Sequence, residues 1–219
     1  MTIAIDGYAS TGKSTLAKML ARHYGLTFVD SGALYRGITL FALEQGFFQK
    51  NKNTEKLLRD ALKSIDIGFD SSNGALILNG NAIDQKIRNQ KVSENVSEIA
   101  SFSFVREFLL QKLRTLKAPK GLVMDGRDIG TVVFPDADFK FFFTAQPEVR
   151  AQRRWKELKE KGLSTTYEEI LENLLLRDQT DSQRVTAPLR KATDAVEIDT
   201  SNKTQEEVFS FLTSIIEGK

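Results

Sequence analysis

The chain has 219 residues, 31 basic and 29 acidic, and a formal charge of +2 leaves no broad positive field for a nucleic-acid backbone. Hydrophobic residues make up 41% and charged residues 27%, which excludes a disordered or fibrous chain and suffices for one core, or one core with a small insert. Cysteine is absent, which excludes disulfides, iron–sulfur clusters and thiolate zinc sites. No stretch approaches the roughly 18–20 apolar residues of a membrane span and no basic leader precedes an apolar run, so a cytoplasmic protein without membrane contact is expected.

In chain order, Ile3-Ala4-Ile5 predicts a short buried strand that runs into the glycine-framed turn "DGYASTGKST". Leu16, Met19 and Leu20 at helical spacing, stopped by Gly25, predict the helix that follows. The single histidine, His23, continues that spacing and reads as the edge of a packed face, so no imidazole base is expected. Thr27-Phe28-Val29 predicts a second strand ending at Asp30-Ser31-Gly32, and Leu34, Ile38, Phe41 and Ala42 predict a helix to Gly46. Residues 47–61 are polar and read as loop and helix. "IDIGFDSSNGALILNG" alternates apolar and polar residues around Asn73-Gly74, the signature of a β-hairpin in a small insert of about residues 64–94.

From Val92 helical spacing returns through Val96, Ile99, Val105, Leu109, Leu113 and Leu116, until Ala118-Pro119-Lys120-Gly121 breaks it. Leu122-Val123-Met124 predicts a third core strand ending in "DGRDIG". Phe139 to Phe143 is almost wholly apolar, as expected of a strand covered on both faces, and Pro147 opens another helix. Thr165 and Glu168 predict a capping box for the helix carrying Ile170, Leu171, Leu174 and Leu175. Ala195 to Ile198 predicts a last strand, and Thr204 with Glu207 caps a closing helix through Val208, Leu212 and Ile215. Strands alternating with helices predict an α/β fold: a five-stranded parallel sheet with helices on both faces, plus a small β-containing insert.

Gly7, Gly12, Lys13 and Ser14 fit G-x-x-x-x-G-K-[ST], the P-loop pattern, at the end of a strand and the start of a helix. Glycines allow the tight curl, backbone N–H groups form an anion nest, and the helix N-terminus adds positive partial charge. Gly7, Tyr8, Ala9, Ser10, Thr11, Gly12, Lys13, Ser14 and Thr15 are therefore the candidate ATP-binding residues. Lys13 is expected on the β- and γ-phosphates, and the Ser14 hydroxyl as a ligand of Mg2+, the cofactor expected with ATP. A P-loop alone leaves a switch, an ATPase, a small-molecule kinase and a binding module open. The GTPase reading needs Asn-Lys-x-Asp, and Asn202-Lys203-Thr204-Gln205 lacks the aspartate.

"DSGALYR" after the second strand and "DGRD" after the third lie at the carboxyl edge of the predicted sheet, where ligands collect in open α/β folds. With these segments the chain resembles the bacterial cytidylate kinases across essentially its full length. The resemblance rests on "IDG…GKST", "DSGALYR", the hairpin insert, "VSEIASFSFVR", "DGRDIGTVVFPDA", "RDQTDSQRVTAPL" and "IDTS". Tyr8 stands where that family would lead one to expect proline, and Thr11 where a small residue is common; neither removes a needed N–H donor.

The resemblance implies the P-loop nucleoside monophosphate kinase fold, with core 1–63 and 95–219, the insert at about 64–94 as acceptor flap, and a helical lid at about 150–163. It implies phosphoryl transfer from ATP to CMP or dCMP, with cytosine read by Ser97, Arg106 and Asp128. Asp181 would take the sugar hydroxyls and Arg36 and Arg127 the acceptor phosphate, in a pocket also lined by Asp30, Ser31 and Tyr35. Kinases of UMP, AMP, shikimate or dephospho-coenzyme A, and a nucleotide-binding regulator without turnover, stay open as alternatives.

Arg150, Arg153 and Arg154 fall on one helix, where a solvated basic face is the plainer explanation. Ile170, Leu174, Arg177, Asp181 and Arg184 repeat at 4, 3, 4 and 3, so one stripe begins apolar and ends charged, as if leaving the core at a phosphate cleft. Lys13, Arg127, Arg154, Arg177 and Arg184 make up the candidate catalytic set. Every needed group is on one chain, so a monomer suffices.

Overall fold

The computed structural model describes residues 1–50, 52–70, 74–116, 118–160 and 162–218. In chain order its elements are β1 (Thr2–Gly7), α1 (Lys13–Tyr24), β2 (Thr27–Asp30), α2 (Ser31–Glu44), α3 (Thr54–Ala61), β3 (Ile67–Phe69), β4 (Leu76–Leu78) and β5 (Asn81–Ala82). There follow α4 (Gln90–Ser101), α5 (Ser103–Arg114), β6 (Leu122–Gly126), β7 (Phe139–Thr144), α6 (Pro147–Glu160), α7 (Tyr167–Gln183), β8 (Val196–Asp199) and α8 (Gln205–Glu217). They form two compact units, Met1–Asp30 with Lys117–Lys219, and Ser31–Leu116.

In the first unit all five predicted strands pair in parallel, in the order β2-β6-β1-β7-β8, and helices flank the sheet. The central strands are apolar on both sides: Ile3, Ile5, Val123 and Phe143 are buried on one face with Leu16 and Leu20 of α1 and Leu212 of α8, and Ala4, Met124 and Phe142 are buried on the other. Because the strands are parallel, Gly7, Asp30, Gly126, Thr144 and Asp199 end along one edge, and the motif-bearing loops leave from there. Gly7 has φ +138, and a Cβ on it would stand 2.1 Å from the Phe143 carbonyl oxygen. Neither β1 nor β7 can yield without breaking the sheet, so Gly7→Ala is expected to cost about 3 kcal/mol or more, read as a lowered denaturant midpoint.

The second unit carries a three-stranded antiparallel sheet, β3-β4-β5, with Ile67 opposite Leu78 and Ile77 opposite Ala82. Asn73 of the predicted hairpin turn lies outside the described residues, while the amide of Asp70 donates to the Ala75 carbonyl at 2.8 Å. The third strand was not predicted. Asn79 and Gly80, at φ 47 and 79, make a two-residue turn into it, which is the geometry an Asn-Gly pair favours. Helix α2 lies close on this sheet because Gly37 has no side chain; a Cβ there would meet Ile67 Cδ1 at 2.5 Å.

Two helix boundaries differ from the sequence reading. The spacing from Val92 to Leu116 covers two helices, separated by an extended Phe102 with ψ 117 that ends α4 and starts α5. The capping box of α7 is Thr166 with Glu169, not Thr165 with Glu168. Two adjacent threonines each precede a glutamate by three, so spacing cannot choose between them; Thr165 instead donates to the Glu169 side chain at 3.1 Å.

Candidate active site

The loop between β1 and α1 curls through Ser10 at φ 60 and Gly12 at φ 89. Gly12, at the N-cap of α1, has no side chain to offer the first-turn N–H groups, and no acidic residue stands in that turn. This is a helix start arranged for an external anion. Thr11 donates through its hydroxyl to the Tyr8 carbonyl at 3.0 Å. Its own carbonyl accepts from the Thr200 hydroxyl at 3.0 Å, and Arg153 holds Thr200 by its hydroxyl (3.1 Å) and carbonyl (2.5 Å).

Lys13 is buried, and its Nζ donates to the Tyr8 carbonyl at 2.5 Å. Burial, with the charges of Arg127 and Arg177, pushes its ammonium down to about 7, although Asp125 and Asp6 pull the other way. Ser14 donates its hydroxyl to Asp125, a buried carboxylate at the carboxyl end of β6. Asp6, at the end of β1, accepts from the amides of Ile129 (2.7 Å) and Gly130 (2.8 Å). Burial raises its carboxyl to about 7 despite those two bonds.

The stripe predicted on α7 is present. Asp181 is buried, with Arg127 Nε at 3.0 Å, Arg184 Nη1 at 3.6 Å and Arg177 Nε at 3.8 Å. Burial alone would raise its carboxyl, but the three guanidiniums outweigh that and hold it below the usual carboxylate range. Arg184 also faces Asp128 at 3.7 Å and donates to the Ala187 carbonyl at 2.6 Å. Lys13 and these arginines thus place a dense cationic group in the first unit.

The basic triplet on α6 divides. Arg154 pairs with Glu157 on its own helix at 2.8 Å. Arg150 is not on a solvated face: it is buried, donates to Asp178 of α7 at 2.6 Å and to the Ala145 carbonyl at 2.9 Å, and lies over the Tyr8 ring at 5.2 Å. Sequence reasoning missed Arg150, Asp178, Arg153, Thr200 and Asp6 as site-building residues. Each meets its partner across the chain, and no period in the sequence reports such pairings.

Asp30 ends β2 in the first unit. In the second, Ser31 is buried at the start of α2, Tyr35 and Arg36 are half-buried on the same helix, and Ser97 is half-buried on α4. Arg106 of α5 is buried, donates to the Ala100 carbonyl at 3.2 Å and lies over the Tyr35 ring at 5.2 Å. Among the described residues no three acidic, histidine or cysteine side chains gather to hold a metal ion by themselves, and no helix is long and apolar enough to cross a membrane.

A family profile described as cytidylate kinase matches residues 3–218. Curated relatives include the cytidylate kinase of Parabacteroides distasonis, 47% identical over 97% of this chain and 94% of that one. That of Bacteroides thetaiotaomicron is 48% identical over 94% and 92%, and that of Clostridioides difficile 44% identical over 99% and 98%. Among solved structures, an uncharacterized protein from Eubacterium ventriosum superposes with a TM-score of 0.51 at 12% identity, covering 100% of this chain and 99% of that one, a likeness of fold alone. The loop, the arginine-bound Asp181 and matches spanning nearly the whole sequence agree: the chain belongs to the cytidylate kinase family.

Proposed function

We propose that this protein transfers the γ-phosphate of ATP to CMP and dCMP, giving ADP with CDP or dCDP. The observation that carries the reading is the convergence, in one unit of a family member, of an uncapped P-loop helix, a buried lysine and three arginines gathered on one carboxylate. Phosphoryl transfer passes through a loose transition state with charge spread over oxygens, so positioned cations are the main requirement. The acceptor phosphate is already an anionic nucleophile at neutral pH. No general base is needed, which suits a chain whose one histidine packs edge-on to Tyr24 and Phe209 and pairs with Glu217.

In this reading Lys13 grips the donor's terminal phosphates, and Arg127, Arg177 and Arg184 meet the charge that develops during transfer. Asp30, Arg127, Asp128 and Asp181 are proposed as acceptor contacts on the first unit; Ser31, Tyr35, Arg36, Ser97 and Arg106 are proposed as acceptor residues on the strength of the family resemblance. A site whose donors and acceptors match cytosine would leave buried polar groups unpaired against uracil. The hydroxyl of Ser14 and the carboxylate of Asp125 are hard oxygen donors suited to Mg2+, with the remaining ligands left to phosphate oxygens and water. When bound, the ion would neutralise charge on the transferring phosphates. A chain without cysteine also suits the cytoplasm.

The test is a coupled assay of diphosphate formation with Mg·ATP and CMP, dCMP, UMP, AMP, shikimate, dephospho-coenzyme A or no acceptor. Strong turnover with CMP and dCMP is expected. Acceptor-independent hydrolysis, or binding without turnover, would replace the reading with an ATPase or a regulator.

A pH dependence follows from Lys13 and Asp6, which both titrate near 7 in the nucleotide-free protein. A bound triphosphate favours the ammonium of Lys13 and opposes a charged Asp6. Raising the pH removes a proton from each, and both losses weaken the bound state. ATP affinity should therefore fall as pH rises above 7, by up to about tenfold per unit for each group. Calorimetric titration with ATP between pH 6.5 and 8.5 measures it, and an affinity flat across that range would contradict it.

A further inference from the structure

Asp128 stands immediately before the π-helical turn Ile129–Val133, in the position from which an aspartate ordinarily caps the N–H groups that follow it. It does not do so. Its main-chain carbonyl accepts from Val132 (2.9 Å) and Val133 (3.1 Å), while its carboxylate faces Arg184 at 3.7 Å. The first two amides of the turn, Ile129 and Gly130, donate instead to Asp6, a residue of β1 more than 120 positions away. Asp6 is 4% exposed and immediately precedes Gly7, where the phosphate loop begins.

A carboxylate folded back over its own turn cannot also reach outward, so one aspartate cannot both cap the turn and contact a substrate. We infer that Asp6 is a positioning residue that caps the Ile129–Val133 turn in place of Asp128, so that the Asp128 carboxylate is held ready for the acceptor nucleotide. The inference rests on the acceptor reading given above. It ties the acceptor-side turn to the last residue before the donor loop, through two backbone-amide hydrogen bonds of 2.7 and 2.8 Å in a site closed to water. The same division of labour explains the carboxylate at position 6, which faces Lys13 and Asp128 and would otherwise be a costly group to bury.

The test compares wild type, Asp6→Asn, Asp128→Asn and the double variant in steady-state kinetics with CMP and ATP, alongside thermal midpoints. Asparagine keeps the volume but presents one acceptor oxygen to two donors. For Asp6→Asn at pH 7, where the wild-type carboxyl is about half ionised, the KM for CMP should rise about tenfold, with the KM for ATP within about twofold of wild type. Added to Asp128→Asn, it should raise the CMP KM no further, because both changes act through one carboxylate. Equal rises for both nucleotides, or effects that multiply in the double variant, would overturn the inference and leave Asp6 an ordinary structural residue. Should Asp6→Asn not fold, hydrogen exchange at the wild-type Ile129 and Gly130 amides decides, since exchange as fast as at exposed loop amides is incompatible with the cap. A wild type inactive toward CMP sinks the acceptor reading and this inference with it, whereas an active wild type with multiplying effects sinks the inference alone.

Discussion

Lys13→Met should lower turnover about 10³-fold, the upper end of what loss of one preorganised charge donor costs, without lowering the thermal midpoint. Its ammonium is buried beside Arg127 and Arg177, and that environment pushes it down to about 7, so the charge is held in the nucleotide-free protein at a cost to folding. The sign follows from linkage. With a folded value below the unfolded one, the unfolded chain binds more protons between the two, so stability rises with pH across that interval and is at its poorest below pH 7. Methionine fills a similar space and removes the penalty. In the proposed mechanism what disappears is the cation on the donor's terminal phosphates, whose contact would strengthen as charge moves toward the leaving oxygen, so kcat should fall more than KM rises. Lys13→Arg should not rescue the activity, because a planar guanidinium fork does not reproduce the compact point charge that Nζ presents beside the Tyr8 carbonyl. Circular dichroism melts and kinetics in the coupled assay check both halves; a stable variant that keeps wild-type turnover would remove Lys13 from the mechanism.

The parts of this site that the sequence makes legible are those written locally. A strand buried on both faces is a short apolar run, so "FKFFFT" announces β7 and the glycine string after Ile5 announces the phosphate loop. The stripe Ile170, Leu174, Arg177, Asp181, Arg184 is legible because one helical face carries it from the core into a cluster of charge. The break at Phe102 is not legible: no glycine or proline marks it, and the apolar spacing continues through it. The second Asn-Gly turn, at residues 79–80, closes the same apolar run that suggested a hairpin at 73–74, and one signal absorbed the other. Asp6, Arg150 and Thr200 act on partners 28 to 189 residues away, and their roles exist only once the sheet has brought those partners together.

Asp181→Ala should be the most destabilising single change in the charged cluster, by about 3–5 kcal/mol, because it removes one partner of a buried ionic group and leaves the others uncompensated. Its carboxylate, with a side chain 6% exposed, lies between Arg127, Arg177 and Arg184, whose side chains are 18%, 24% and 3% exposed, so water replaces it only in part. Removing one charge from the excess should restore part of the loss: Arg177→Leu placed on Asp181→Ala is expected to be more stable than Asp181→Ala alone, which a simple cavity would not produce. Acid adds an independent signature. The carboxyl is held below its ordinary value, so its stabilising contribution is complete above the unfolded value of about 3.9 and disappears as pH falls through the folded one. Wild type should lose stability across that acid interval more steeply than Asp181→Asn, whose neutral amide has no proton to gain. Urea midpoints measured from pH 5 down to pH 2 compare the two slopes. Parallel curves would mean that the three arginines do not depend on this carboxylate, and that the cluster is assembled by the packing of α7 rather than by its charge.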